Sequence, residues 1–252
     1  MAKISTAERR HQDYMRRRAL RTSLAFNKQL KALRAKEVRR VLNLCRDFDD
    51  PEAWETVIRS QLDFTFMHRW LRNLTQMTGA PVADSVIRDL TRGKASNIWE
   101  ADLWDYAEQR AGDLIVSVSG TVKDELCGLL TKLIQEDLNA SNYTLVRDIM
   151  KGFGALEQWQ VLRITQTETM MALGEAGHLA AESLDIGYTK QWCTSGLGNV
   201  RDSHFAMDGT IVDQYEPFIV GASQYPMQYP HEIGAPADEV INCACACIRR
   251  PK

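Results

Sequence analysis

The sequence predicts an α+β fold: a mainly helical N-terminal two-thirds, then a small, loop-rich C-terminal module that contains β-structure. Three observations carry this. Residues 1–48 hold no Pro or Gly, and their apolar residues recur at helical spacing. Apolar stripes of that period continue to residue 184. Beyond it, Gly196, Gly198, Gly209, Gly221 and Gly234, with Pro217, Pro226, Pro230 and Pro236, exclude any long helix.

In order, residues 1–48 read as one long helix or two. Leu20, Leu24, Leu30, Leu33, Val38, Val41, Leu42, Cys45 and Phe48 form its broken apolar stripe. A boundary follows at Asp47–Glu52, where Asp50 is placed to cap the next helix and Pro51 to occupy its first position. That helix carries Trp54, Val57, Ile58, Leu62, Phe66, Leu71 and Leu74, and is expected to end near Gly79-Ala80-Pro81. A short helix over 82–92 stops at Gly93. Ser96 or Asn97 caps the next, whose apolar face is Ile98, Trp99, Leu103, Trp104 and Ala107. The run Leu114–Ser119 suits either a strand or a helix entry with Ser119 or Thr121 as cap. Helices are expected over 121–138, from Ser141 or Asn142 to Gly152, and over 155–184.

In the module, Thr210–Val212 and Phe218–Val220 read as strands. Asp208-Gly209 reads as a hairpin turn, since Gly accepts the positive φ of a primed turn. Ser195–Asn199 reads as another turn. The organisation is then a basic helical arm over 1–48, a helical region over 49–113, and a C-terminal domain over 114–252 with helices at 119–184 and the β-containing module at 188–248.

The net charge of −2 conceals an asymmetry. Residues 1–46 hold fourteen Lys and Arg against three acids, which leaves the remainder acidic by thirteen charges. Arg16, Arg17, Arg18, Arg21, Arg39 and Arg40 are the candidate contacts for a partner or for DNA phosphates. The alternative is a solvated amphipathic helix docked on the body or on another subunit. Little aromatic residue is interleaved, which argues against base stacking. No apolar run is long enough for a membrane span, and the N-terminus lacks the apolar region of a secretory signal.

Six cysteines are present. Without a secretory signal a disulfide framework is not expected. Cys45 and Cys127 read as small core hydrophobes. His68 and His178 read as helical surface residues. Arg163, Thr167 and Glu168 read as part of a buried polar network.

Cys243-x-Cys245 alternates along an extended segment, so both thiols can face one side. With His204 they offer three of the four N or S ligands of a structural Zn²⁺ site. Cys193, Cys247 or His231 is the candidate fourth. Alternatively the cysteines are reduced and pack the last strand, with His204 hydrogen-bonded inside the module. A Cys–His hydrolase using His204 and Cys243, with Asp202 or Asp208 orienting the imidazole, is a third reading.

The order Trp192, Arg201-x-x-His204, Asp208-Gly209, an aromatic and Pro-containing segment, then Asn242-Cys243-x-Cys245 resembles the phage head morphogenesis family, the Mu-F-like minor head proteins. The helix segment Arg163–Thr169 resembles that family's lead-in. Ala244 stands where the family carries a basic residue, and Cys247 is additional. The resemblance implies that residues 114–252 form the family's domain and that the chain is a structural minor head protein, not an enzyme. It implies association with the portal and with major capsid or scaffolding protein, possible contact with packaged DNA, several copies per virion and no membrane. The implied location is the phage head, with host cytoplasm during assembly. A DNA-binding protein acting through the basic arm is the remaining alternative.

Overall fold

The computed structural model describes residues 4–92, 97–137, 140–196 and 200–252. The break at Gly93, the cap at Ser96, the helix end at Leu138 and the turn residues 197–199 lie outside the described residues. The fold is α+β. Helices α1 (Thr6–Cys45), α2 (Pro51–Gln61), α3 (Met67–Thr91), α4 (Glu100–Glu136) and α5 (Asn142–Glu182) precede β1 (Tyr188–Cys193), α6 (Asp202–Met207), β2 (Ile211–Asp213), β3 (Phe218–Val220), β4 (Tyr225–Met227), α7 (Ala237–Val240) and β5 (Ala246–Pro251). No described helix is long and apolar enough to cross a membrane. Contacts group the chain into two units, one of Met1–Ala25, Arg72–Ala107 and Arg163–Lys252, the other of Phe26–Leu71 and Glu108–Leu162.

In the second unit, Asp50 caps α2 as its sequence predicts: its side chain accepts from the Glu52 N–H at 3.0 Å, and Pro51 opens the helix. The helix expected to continue through Phe66 stops at Gln61. Asp63 accepts from the Thr65 N–H at 2.7 Å, and its own N–H donates to Glu37. This local turn lets Phe64 bury completely. Side-chain competition for backbone donors has overridden the apolar stripe. Cys45 and Cys127 are buried and free, as expected of core thiols. His68 is exposed and pairs with Glu108 at 3.0 Å.

Both readings of Leu114–Ser119, as a strand and as a helix entry capped by Ser119 or Thr121, are incorrect, because this run is the interior of α4. Ala111, Leu114, Val118 and Val122 are buried while Val116 is exposed, a period of three to four and not two. Likewise α3 runs through Gly79 and Pro81. Ala83 and Ile87 beyond the proline join Trp99, Leu103, Ala107, Ala176 and Ala180 in one apolar cluster, and burial of that face outweighs the lost helix hydrogen bond.

In the first unit, Ser5 and Glu8 form a capping box that starts α1: Ser5 Oγ accepts from the Glu8 N–H, and Glu8 accepts from the Ser5 N–H at 2.9 Å. Ser5-Thr6-Ala7-Glu8 carries the S-x-x-E pattern of such a box. The strands form an antiparallel sheet, β2-β1-β5, and an antiparallel β3-β4 pair. Lys190 stands opposite Val212 on one side and Arg249 on the other. Asp208-Gly209 is not a two-residue hairpin. It leaves α6 and enters β2, and the Gly209 N–H donates to the Trp192 carbonyl at 2.9 Å.

His178 is not a surface residue. Its ring packs on Tyr229, with centroids 4.8 Å apart, and Tyr229 donates to Glu175. The helix bearing them comes close enough to the following loop that a side chain at Gly174 would meet the Pro230 carbonyl at 2.6 Å. Burial, then the charges of Arg249 and Lys190, push His178 down to about 4. The imidazole is therefore neutral in the folded chain at neutral pH, while an unfolded His titrates near 6.5. Stability from this group is complete above the unfolded value and is lost as pH falls from about 6.5 towards 4. Urea midpoints of His178→Gln should lack that part of the acid slope.

Candidate metal centre

His204 reaches the site because α6 presents it inward, and Cys243 and Cys245 because the segment between α7 and β5 runs beneath α6. Asn242 makes the bend before Cys243. Its φ is 57°, a left-handed conformation that Asn tolerates better than most residues. Its N–H donates to Thr167 at 3.4 Å, and Arg201 donates to the adjoining Ile241 carbonyl at 2.5 Å. Thr167 and Glu168 are buried while Arg163 is exposed.

His204 Nδ1 lies 3.3 Å from Cys243 Sγ and 3.4 Å from Cys245 Sγ. All three ligand atoms fall within 4.8 Å of one another, and all three residues are buried. The Cys245 N–H points at Cys243 Sγ at 3.4 Å. The Ser195 backbone hydrogen-bonds Cys245. The Cys243 thiol is pushed well below the usual range, first by the hydrogen bond from Cys245 and then, against burial, by His231 and His204. Cys245 moves upward for the same reason. Of the two thiols, Cys243 is the one that gives up its proton more readily. This group can hold a metal ion.

Two supports were not found from sequence. Glu239 Oε2 lies 2.8 Å from His204 Nε2 and also accepts from Ser203. A carboxylate there holds the Nε2–H tautomer and leaves the Nδ1 lone pair for a ligand. Arg16 is the second. It is buried, binds Asp13, and donates to the Ala244 carbonyl at 3.3 Å. It therefore braces the C-x-C segment and is not on the surface with Arg17, Arg18 and Arg21. Arg39 is exposed, and Arg40 is paired with Glu37.

Trp192 packs edge-on against both His204 and Phe218, each at 5.3 Å. Trp192 and Phe218, with Val220, Met227, Val240, Cys243 and Cys245, make the module core. Asp208 sits at the rim, where it accepts from the Thr194 N–H and hydroxyl and pairs with Arg9. Thus Trp192, Arg201, His204, Asp208, Gly209, Asn242, Cys243 and Cys245 are brought together. Cys193 instead hydrogen-bonds the Thr194 carbonyl, and Cys247 the Ile248 carbonyl.

Gly221 guards the carboxylate. Its φ is 75°, and a Cβ there would overlap Glu239 Oε1. Gly221→Ala should cost about 1–3 kcal/mol from backbone strain and weaken metal binding about tenfold by displacing Glu239. Urea unfolding and metal titration check both effects.

Comparison with protein-family models, with curated proteins and with solved structures finds no match to the chain.

Proposed function

We propose that this chain is a structural minor head protein of a tailed bacteriophage or prophage, with a C-terminal module locked by a zinc ion. The observation that supports this is the use of the motif residues: Trp192, His204, Cys243 and Cys245 form one buried cluster, and Arg201, Asp208 and Asn242 hydrogen-bond the loops around it. Nitrogen and sulfur donors suit Zn²⁺ and not the oxygen-seeking Mg²⁺ or Ca²⁺. In this reading the module is a rigid part. The exposed Arg17, Arg18, Arg21 and Arg39 meet the portal, the major capsid or scaffolding protein, or packaged DNA. The protein acts in the phage head, away from membranes, in several copies.

The Cys243–His204 contact is also what a hydrolase would need. Against that reading, Cys243 is 5 % exposed and His204 1 %. The adjacent cavity of about 70 Å³ is lined by Cys245 and His231 but by neither Cys243 nor His204, and it has room for only a few waters. Heads purified from the encoding phage should contain the chain, and its deletion should yield heads defective in assembly or DNA delivery. Absence from heads, or a hydrolytic activity lost in Cys243→Ser, would contradict the proposal.

A further inference from the structure

The metal reading leaves a coordination position open, and whether it is closed by protein decides between a structural and a reactive ion. We propose that His231 Nδ1 is the fourth ligand, so that the centre is a closed Cys₂His₂ site. This rests on the reading that His204, Cys243 and Cys245 bind an ion.

Four observations converge on His231. It is 2 % exposed. Its Nε2 lies 3.0 Å from the Cys245 carbonyl, which can only accept, so Nε2 carries a proton and Nδ1 is the nitrogen that can give up its own to an ion. Nδ1 is buried with no partner in good hydrogen-bond geometry. Finally, the imidazole lies near enough to interact with the Cys243 side chain as well as with the Val240 backbone.

The arrangement repeats that of His204. Each imidazole has Nε2 fixed by an oxygen, one from the Glu239 carboxylate and the other from the Cys245 carbonyl. Each has Nδ1 left for a ligand. His231 also holds a φ of 73°, which a non-glycine residue keeps only where its surroundings demand it. It lies outside the set of ligand atoms within 4.8 Å of one another, so an ion has to draw its ring inward.

The rival thiols are committed elsewhere. Cys193 donates to the Thr194 carbonyl and neighbours Arg9 and Asp208. Cys247 is only half-buried and neighbours Tyr188 and Lys190.

The test is Co²⁺ titration of the reduced full-length chain, followed by Zn²⁺ displacement. The wild type should take one Co²⁺, with the intense visible bands of a tetrahedral ion and a thiolate charge-transfer band for two sulfurs. His231→Asn tolerates the left-handed backbone but lacks the ring nitrogen. It should bind about a hundredfold more weakly, at or beyond the upper end of what loss of a supporting group costs. His231→Cys should restore tetrahedral binding, with charge-transfer intensity raised by about half for a third thiolate ligand. If His231→Asn keeps wild-type affinity and spectrum, the inference is overturned while the ion reading stands. The same holds if Cys193→Ser or Cys247→Ser causes the loss instead. If the wild type takes up no Co²⁺ or Zn²⁺, both fail.

Discussion

Stripping the ion from the wild-type chain with a strong chelator should lower its melting temperature by about 10–15 °C. An ion present at about a thousand times its dissociation constant stabilises the folded state by about 4 kcal/mol. In a chain of this size each kcal/mol moves the midpoint by about 2–4 °C. The effect is large because the ion replaces a poor alternative. Without it, His204, Cys243 and Cys245 leave an imidazole and two thiols buried together. Zn²⁺ should restore the midpoint, and Mg²⁺ should not. Cys243→Ser should start at the chelated value and show no further response. Because protons compete for the same sulfurs, the protection should fade as pH is lowered. A chelator-insensitive melt would contradict the account.

The second large effect belongs to the other unit. Arg34→Leu should destabilise the chain by about 3–5 kcal/mol, because it leaves Glu157 buried without its cation. Arg34 Nε lies 3.6 Å from Glu157 Oε1, and both side chains are almost fully buried. Gln160 accepts from Arg34 at 3.2 Å, and the guanidinium lies over the rings of Phe64 and Phe153. Burial pushes Arg34 down and Glu157 up, and the charge of each offsets part of this. Burying the pair is costly, so the attraction between the two is needed to keep both charged. Replacing both at once, Arg34→Leu with Glu157→Leu, should recover most of the loss. Chemical denaturation measures it, and a single-mutant cost below about 1 kcal/mol would contradict the argument.

The Asp50-Pro51 start of α2 was legible because capping chemistry is local. The grouping of His204 with Cys243 and Cys245 was legible because few residue types bind soft ions. The break at Asp63 was not, since a continuous apolar stripe hides a side chain that can cap a turn. Pro81 misled because packing of α3 against Ala176 and Ala180 outweighs one lost hydrogen bond. Leu114–Ser119 misled because β-branched residues masked a helical period visible only when Ala111 and Val122 are included. Asp208-Gly209 misled because the chain folds α6 between the two strands it was expected to join.

The supports of the site were the least legible part. Glu239 precedes Cys243 by four residues, yet nothing in that spacing says it holds His204. Arg16 lies in a basic cluster, where its neighbours are exposed, and only the fold shows it bracing Ala244 from more than two hundred residues away. His231 looked like one of three equal candidates. Its tethered Nε2 and its approach to Cys243 distinguish it.

X-ray absorption at the zinc edge of the purified, reduced chain tests the central claim most directly. The account predicts a four-coordinate ion with two sulfurs at about 2.3 Å and two nitrogens at about 2.0–2.1 Å. An oxygen-rich shell, or a chain that retains no zinc after dialysis, would contradict it.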